Sequence, residues 1–321
     1  MRRRACVAGL VAAVLTLTAC GGGGGPTAEE GTQSITVADT EGIPSLFLTY
    51  GVREGYFKKA GLDVEVIAQT GGSASVPSLV SGDVEVVGSN VVSLLVAAGQ
   101  GLPLSVIAAG TSAAESPEED FSGLVVPADS DIASPADLAG ARIGVNSLEN
   151  INEVVIANVL EKEGISLKQV DLVELPFPDM QAALERGDVD ATFLIEPFLT
   201  TALSDGMTAI TRPYTALQPG LQAGAYVVTE ETAASDPELV EAFQEGVQAT
   251  ADAIREDPEA FRKAMPELGE FDPEIAAKLS LPVWQGTNDK ESIAILNERS
   301  ARYGLIEDEI DLNELLYQGG S

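Results

Sequence analysis

One succession of short apolar runs, helical patterns and glycine stops occurs twice in this chain, and the repeat restricts what the chain can fold into more than any other feature. In the first copy Ile35-Thr36-Val37-Ala38 reads as a strand, 44–60 as a helix, 62–67 as a strand and 73–80 as a short helix, and Gly82-Asp83-Val84-Glu85-Val86-Val87-Gly88 opens another strand. In the second, Arg142-Ile143-Gly144-Val145 reads as a strand, 150–163 as a helix, 170–175 as a strand and 179–186 as a short helix, and Gly187-Asp188-Val189-Asp190 leads into the strand 191–195. Lys59-Ala60-Gly61 and Lys162-Glu163-Gly164 align at an offset of 103, and the two Gly-Asp-Val segments at an offset of 105. A Gly-Asp pair alone is a common helix-to-strand turn. A matched series of elements at nearly constant offset is not, and it predicts two similar α/β lobes, each with its own mostly parallel sheet.

Two such lobes make a site by geometry. Ligands of open α/β sheets bind beyond the carboxyl ends of the strands, where helix N-termini also point. Two lobes facing each other enclose a cleft that can close about its connections, here 108–110 going out and 223–225 coming back. The expected division is 34–110 plus 224–321 for one lobe and 111–223 for the other. After Tyr226 the pattern turns helical over 237–255, 258–266, 273–280 and 289–303, segments expected to cover the first lobe. The acidic segment 112–120, with Glu115, Glu118, Glu119 and Asp120, reads as a solvated loop.

Charge and composition remove several function classes. The 321 residues carry 50 acids against 18 Lys plus Arg, a formal charge of −32, with no histidine and two cysteines. A polyanion repels phosphate backbones, so no nucleic-acid partner is expected. Without histidine there is no Ser-His-Asp or Cys-His catalysis and no histidine metal site, and two cysteines cannot build a zinc cluster. No cofactor, metal or catalytic residue is expected, and the chain is expected to act as a monomer.

The N-terminus reads as an export signal. Arg2-Arg3-Arg4 is a basic head, 5–17 is almost wholly apolar, and Leu17-Thr18-Ala19-Cys20 precedes five glycines. The apolar run is too short to span a membrane, which takes about 20 residues. Residues 1–19 are therefore expected to be a signal peptide and 20–33 a flexible linker. The Leu-x-Ala-Cys ending is similar to the lipoprotein box of bacterial lipoproteins, a resemblance which implies that Cys20 is lipidated as the first residue of the mature chain and that the linker tethers the body to the outer face of the cell membrane.

Arg53-Glu54-Gly55-Tyr56-Phe57, Gly61-Leu62-Asp63-Val64 and Ser81-Gly82-Asp83-Val84 resemble the nitrate/sulfonate/taurine and thiamine-pyrimidine group of ABC-importer substrate-binding proteins. The second lobe agrees: 134–145 resembles the group's ADLKGKKIGV segment, and 182–191 with Glu196-Pro197-Phe198 fits its ALxxGxVDA…EP segment. The likeness covers roughly 34–230. It implies a bilobal type II periplasmic-binding fold that captures a small solute and delivers it to ABC permease and ATPase subunits. Some relatives of this fold are enzymes that make the thiamine pyrimidine. The resemblance implies that these need histidine and a cysteine-rich motif, neither of which is present. A surface sensor or adhesin is a third possibility.

The loops at the strand ends, 39–44, 70–75, 89–91, 146–151, 176–180 and 196–198, contain no Lys or Arg. An anion there would depend on helix N-termini, hydroxyls and amides, so Gly72, Ser73, Ser75, Ser89, Asn90, Asn146, Ser147 and Asn150 are candidate ligand contacts. Ile43 is a candidate in the first of these loops. Asp39, Glu41, Glu149 and Glu196 lie at or beside strand ends. A carboxylate in a closing cleft is costly unless paired, so it suits an amine, an amidine or an N–H-rich ring. Glu196 is the prime acidic candidate, since Pro197 holds the turn after a buried strand, and Pro197 is a candidate contact beside it. Phe177, Phe193, Phe198, Tyr226 and Trp284 are candidate walls. The loop chemistry favours a neutral, cationic or zwitterionic solute over a bare inorganic anion.

Overall fold

The computed structural model describes residues 32–269 and 271–319. The expected signal peptide, Cys20 and all but the last two residues of the expected tether lie outside them.

Among the described residues, twelve strands are distributed over three sheets. They are β1 (Gln33–Thr40), β2 (Leu62–Gln69), β3 (Val86–Asn90), β4 (Leu104–Ala109), β5 (Thr111–Ser112), β6 (Ser122–Val126), β7 (Arg142–Val145), β8 (Asp171–Glu174), β9 (Ala191–Ile195), β10 (Thr208–Thr211), β11 (Gly224–Thr229) and β12 (Val283–Trp284). One five-stranded sheet has the order β2-β1-β3-β11-β4, the other the order β10-β6-β9-β7-β8, and β12 pairs with β5 alone. The bilobal α/β expectation is met, and the repeat is visible in the pairing. β1 lies parallel to β2 and β3, as β7 lies parallel to β8 and β9.

Each sheet also holds one antiparallel strand. β11 runs against β3 and β4 in the first sheet, and β6 runs against β9 and β10 in the second. These are the two strands that arrive from the other lobe. A chain leaving one parallel sheet at its cleft-facing carboxyl edge enters the opposite sheet from that sheet's own carboxyl edge, and so must run backwards through it. The two crossings lie side by side, with Gly110 N–H donating to Gly224 O at 2.9 Å.

The first sheet is covered by helices over Ile43–Arg53, Gly72–Ser81 and Val91–Gly99, and by the C-terminal Pro237–Glu256, Pro258–Gly269 and Lys290–Tyr303. Apolar burial drives this: Phe47, Phe57, Phe243 and Phe261 are all fully buried. The helix expected over 44–60 is two helices, Ile43–Arg53 and Tyr56–Lys59. Gly55 between them has φ +75°, a left-handed conformation that ends an α-helix. The break turns Phe57 onto the helix Pro237–Glu256, where its ring lies against Gly246 and Phe243. The helix expected over 273–280 closes after one turn, Pro273–Ala276.

The acidic segment is not wholly solvated. Asp120 is fully buried and accepts hydrogen bonds from Ser122 N–H at 2.8 Å and Thr215 N–H at 2.7 Å, as well as from both hydroxyls of those residues. It thereby ties the start of β6 to the helix Pro213–Leu217. Among the described residues no helix is long and apolar enough to cross a membrane.

Candidate functional site

The carboxyl ends of β1, β3, β7 and β9 converge on a cavity between the lobes, with about 520 Å³ of empty space when its open mouth is included. From the first lobe come Asp39 and Thr40 at the end of β1, Pro44 in the first turn of the next helix, and Gly88, Ser89 and Asn90 at the end of β3. β11 contributes Tyr226. The second lobe adds Asn146, Asn150, Ile151 and Asn152, with Phe121, Phe177, Ile195 and Tyr214. No Lys or Arg is in this lining.

The one acid in the lining, Asp39, is 3 % exposed. Its Oδ1 accepts Thr40 N–H at 2.7 Å and its Oδ2 accepts the Tyr226 hydroxyl at 3.4 Å. Burial pushes its pKa from 3.8 to about 7, against the two hydrogen bonds, which pull it down. The carboxylate lies directly over the Gly88 backbone, where a Cβ would sit 2.3 Å from Oδ1. Position 88 is glycine because the acid occupies that space.

The asparagines cap the helices that face the cleft. Asn90 Oδ1 accepts Ser93 N–H at 2.9 Å at the start of Val91–Gly99, and also Ile151 N–H at 3.2 Å from the opposite lobe. Asn150 Oδ1 accepts Asn152 N–H at 2.9 Å at the start of Ile151–Lys162. Asn146 Nδ2 crosses the cleft to donate to Thr70 O at 2.6 Å, while its Oδ1 accepts from Asn150 at 3.1 Å and Asn152 at 2.7 Å. Gly71 allows this approach, for a Cβ there would meet Asn146 Nδ2 at 2.9 Å.

Of the sequence-derived candidates, Asp39, Ser89, Asn90, Asn146 and Asn150 share this cavity. The others lie elsewhere. Ile43 is buried and gives its N–H to Glu196 O at 3.0 Å. Gly72 lines a separate pocket with Val76, Ser93 and Glu149. Ser75 is buried and returns its hydroxyl to Gly71 O at 3.1 Å, a bond within its own helix. Ser147 accepts from Asn150 Nδ2 at 2.9 Å and so supports the cap from behind. The Ser73 side chain lies outside what the structure describes.

Glu196 corrects the expectation most sharply. It is 1 % exposed, and its Oε2 accepts Thr200 N–H at 3.0 Å. Its Oε1 accepts the Thr200 hydroxyl at 2.8 Å and Ser280 N–H at 3.0 Å. Burial raises its pKa, and the Ser280 and Thr200 donors oppose the rise. The side chain is thus used up in joining β9, the following helix and the 280 loop. Pro197, joined to Glu196 by a cis bond, lines a side pocket with Phe198 and Phe271 rather than the cavity.

Phe177 and Tyr226 are cavity walls as expected; Phe193, Phe198 and Trp284 are not in the lining. Trp284 stacks on Phe47, with centroids 5.0 Å apart. Tyr214, Phe121 and Asn152 escaped sequence reasoning. Asn152, two residues past the Asn150 cap, was the one with a local signal.

A family described as "NMT1/THI5 like" matches residues 45–261. The taurine-binding periplasmic protein of Escherichia coli is 29% identical over 188 residues, 59% of this chain and 56% of that protein. The formylaminopyrimidine-binding protein of Halalkalibacterium halodurans is 28% identical over 145 residues, 45% of this chain and 42% of that protein. These matches thus span about half the length of either relative. Among solved structures, the alkanesulfonate-binding protein SsuA of Xanthomonas axonopodis pv. citri, bound to MOPS, superposes with a TM-score of 0.76. That pair is 17% identical, and the superposition covers 91% of this chain and 99% of the other, which shows a shared fold.

Proposed function

The chain belongs to the NMT1/THI5-like family, and we propose that it is the extracytoplasmic solute-binding component of an ABC importer. A small organic solute enters between the lobes, the lobes close on it, and the closed form docks on a permease whose ATPase subunits drive release. Capture needs only that the solute bind the closed arrangement better than the open one. Closure bends the chain at the paired crossings 108–110 and 223–225. Lipidated Cys20 and the glycine-rich tether hold the body near the membrane.

The observation that carries this reading is the cavity itself. It lies at the carboxyl ends of both sheets, is polar on both walls, and is spanned by the Asn146–Thr70 and Ile151–Asn90 hydrogen bonds. The named curated relatives are binding proteins, which supports capture rather than turnover.

The test is a thermal-shift screen of the purified chain against aminosulfonates, alkanesulfonates, aminopyrimidines and amines. A solute that binds only the folded state at about 100 times its Kd stabilises it by about 2.7 kcal/mol, so the correct class raises Tm by several degrees. A flat response across the panel counts against solute capture, and conversion of any of these compounds to product counts against a non-enzymatic role.

A further inference from the structure

Of the lining amides Asn150 donates both of its N–H groups within the protein, to Asn146 and Ser147, while Asn146, Asn152 and Asn90 each give one, to Thr70 O, Asn146 Oδ1 and Ser93 Oγ, and keep a second. Four backbone N–H groups at the two cleft-facing helix starts are engaged within the protein. Val91 N–H goes to Ala223 O, Ser93 and Ile151 N–H go to Asn90 Oδ1, and Asn152 N–H goes to Asn150 Oδ1. The hydroxyls of Thr40, Thr111 and Tyr214 in the lining can act in either role.

Asp39 is the acid of the lining, and it has acceptor capacity to spare. A carboxylate offers about four lone-pair positions, and this one accepts a single short bond and one 3.4 Å contact from Tyr226. It is buried with no base in the cavity lining. A buried carboxylate without a cationic partner is costly, and a ligand that brings the partner offsets part of that cost. The aromatic rings of Phe121, Phe177, Tyr214 and Tyr226 also line the space, and aromatic rings can take a cation on their faces.

We infer that the captured solute presents a nitrogen group rich in N–H donors, an ammonium, an amidinium or an amino-substituted ring, and seats it on the Asp39 carboxylate. The inference rests on the capture reading above and assigns its ligand class and its specificity-determining residue. An acidic end on the same solute is tolerated only where hydroxyls or the remaining amide N–H groups can receive it. Pairing also moves a proton. Near pH 6 a large share of Asp39 carboxyls are protonated, and a bound ammonium displaces that proton to the buffer. The other titratable groups in the lining are Tyr214 and Tyr226. Burial pushes both upward, so they stay neutral through this range.

The experiment is calorimetric titration of the full chain, purified in a mild detergent, with probes paired to differ by one nitrogen group. Taurine is set against ethanesulfonate, and 4-amino-2-methylpyrimidine against 2-methylpyrimidine, with butylammonium as a cation without an acidic end and sulfate and nitrate as anions without an amino group. Binding is expected only from the probes that carry an amino or ammonium group. Asp39→Asn is expected to weaken it by about 50-fold or more, as loss of one member of a buried charge pair does. For the ammonium probes, taurine and butylammonium, the heat in the unmutated chain at pH 6 should depend on the buffer's ionisation enthalpy, reporting proton release, and should lose that dependence in the variant. The unmutated chain carries this second readout whether or not Asp39→Asn folds well. Ethanesulfonate or sulfate binding as tightly as the amino probes, or an Asp39→Asn affinity within about threefold of the original, overturns the assignment of Asp39 while leaving solute capture standing. Heats indistinguishable from dilution for every probe overturn both.

Discussion

Asp39 concentrates the chemistry of the site in one side chain, and its burial has a consequence for stability as well as for binding. The carboxyl ionises near its ordinary value of 3.8 in the unfolded chain and at about 7 in the folded one. Between these values the folded state holds the proton and the unfolded state has lost it, so this group's contribution to stability falls as pH rises. The fall begins near pH 4 and levels off above pH 7. At about 1.4 kcal/mol per pH unit it reaches roughly 4 kcal/mol as an upper bound. Asp39→Asn should therefore be more stable than the original chain at pH 8, with the two converging near pH 4. Denaturant melts across that range measure the difference, and parallel curves would show that Asp39 ionises freely. Gly88 belongs to the same argument: Gly88→Ala pushes a methyl into the carboxylate and should weaken solute binding through Asp39's displacement. Asp39 was legible in the sequence as an acid at a strand end. Its isolation from every base was legible too, since none of the loops at the strand ends holds Lys or Arg.

At the scale of elements, Glu196 shows why such reasoning stops short. An acid before a proline at the end of a buried strand has the pattern of a ligand contact, and nothing local reveals that Ser280, 84 positions away, donates to it. Glu196 is instead a joint between β9, the helix Phe198–Ser204 and the C-terminal region that packs on the first lobe. Truncation should test this directly. Glu196→Ala leaves Thr200 N–H, its hydroxyl and Ser280 N–H without their acceptor, each buried unpaired donor costing about 1–3 kcal/mol. Glu196→Gln keeps one acceptor oxygen and should lie between the original chain and the alanine variant in Tm. Solute affinity measured on the folded Gln variant should change little, because the carboxylate does not line the cavity. A large affinity loss without loss of Tm would return Glu196 to the binding site. The split of the expected helix 44–60 has a similar origin. Gly55 was visible as a residue, but its left-handed turn was not, and the packing of Phe57 against Gly246 shows what the turn achieves.

For the whole molecule, the quantity on which the proposed capture turns is the balance between the lobes held together and the lobes apart. Asn146 is placed to set it, because one side chain bridges to Thr70 O across the cleft and also organises Asn150 and Asn152 on its own side. Asn146→Ala removes a cross-lobe bond worth about 1.4 kcal/mol in a buried polar setting, so Kd for the identified solute should rise about tenfold. Titration of the variant measures this, and an unchanged Kd would mean that the bridge does not bias closure. The net charge of −32 acts at the same scale. Self-repulsion is screened by salt, so Tm should rise between about 20 mM and about 200 mM NaCl. A Tm that falls over that interval would mean that attractive pairs outweigh the excess of acids.

The α/β class, the doubling into lobes and the basic-free cleft were all readable along the chain. Each rests on short-range regularities: the alternation of apolar runs, glycine stops at constant offset, and the residue types next to strand ends. What the linear order could not reveal is which of those ends share a cavity. Ser75, Ser147 and Glu196 occupy the same kind of position as Ser89, Asn150 and Asp39, yet the first three are held by Gly71, by Asn150 and by Thr200 with Ser280, and the last three line the cavity. Gly71 and Asn150 are near neighbours in sequence, whereas Ser280 is 84 positions from Glu196. Which strand ends face the cavity depends on how the two lobes come together, so only the assembled structure separates a cap or a joint from a cavity wall.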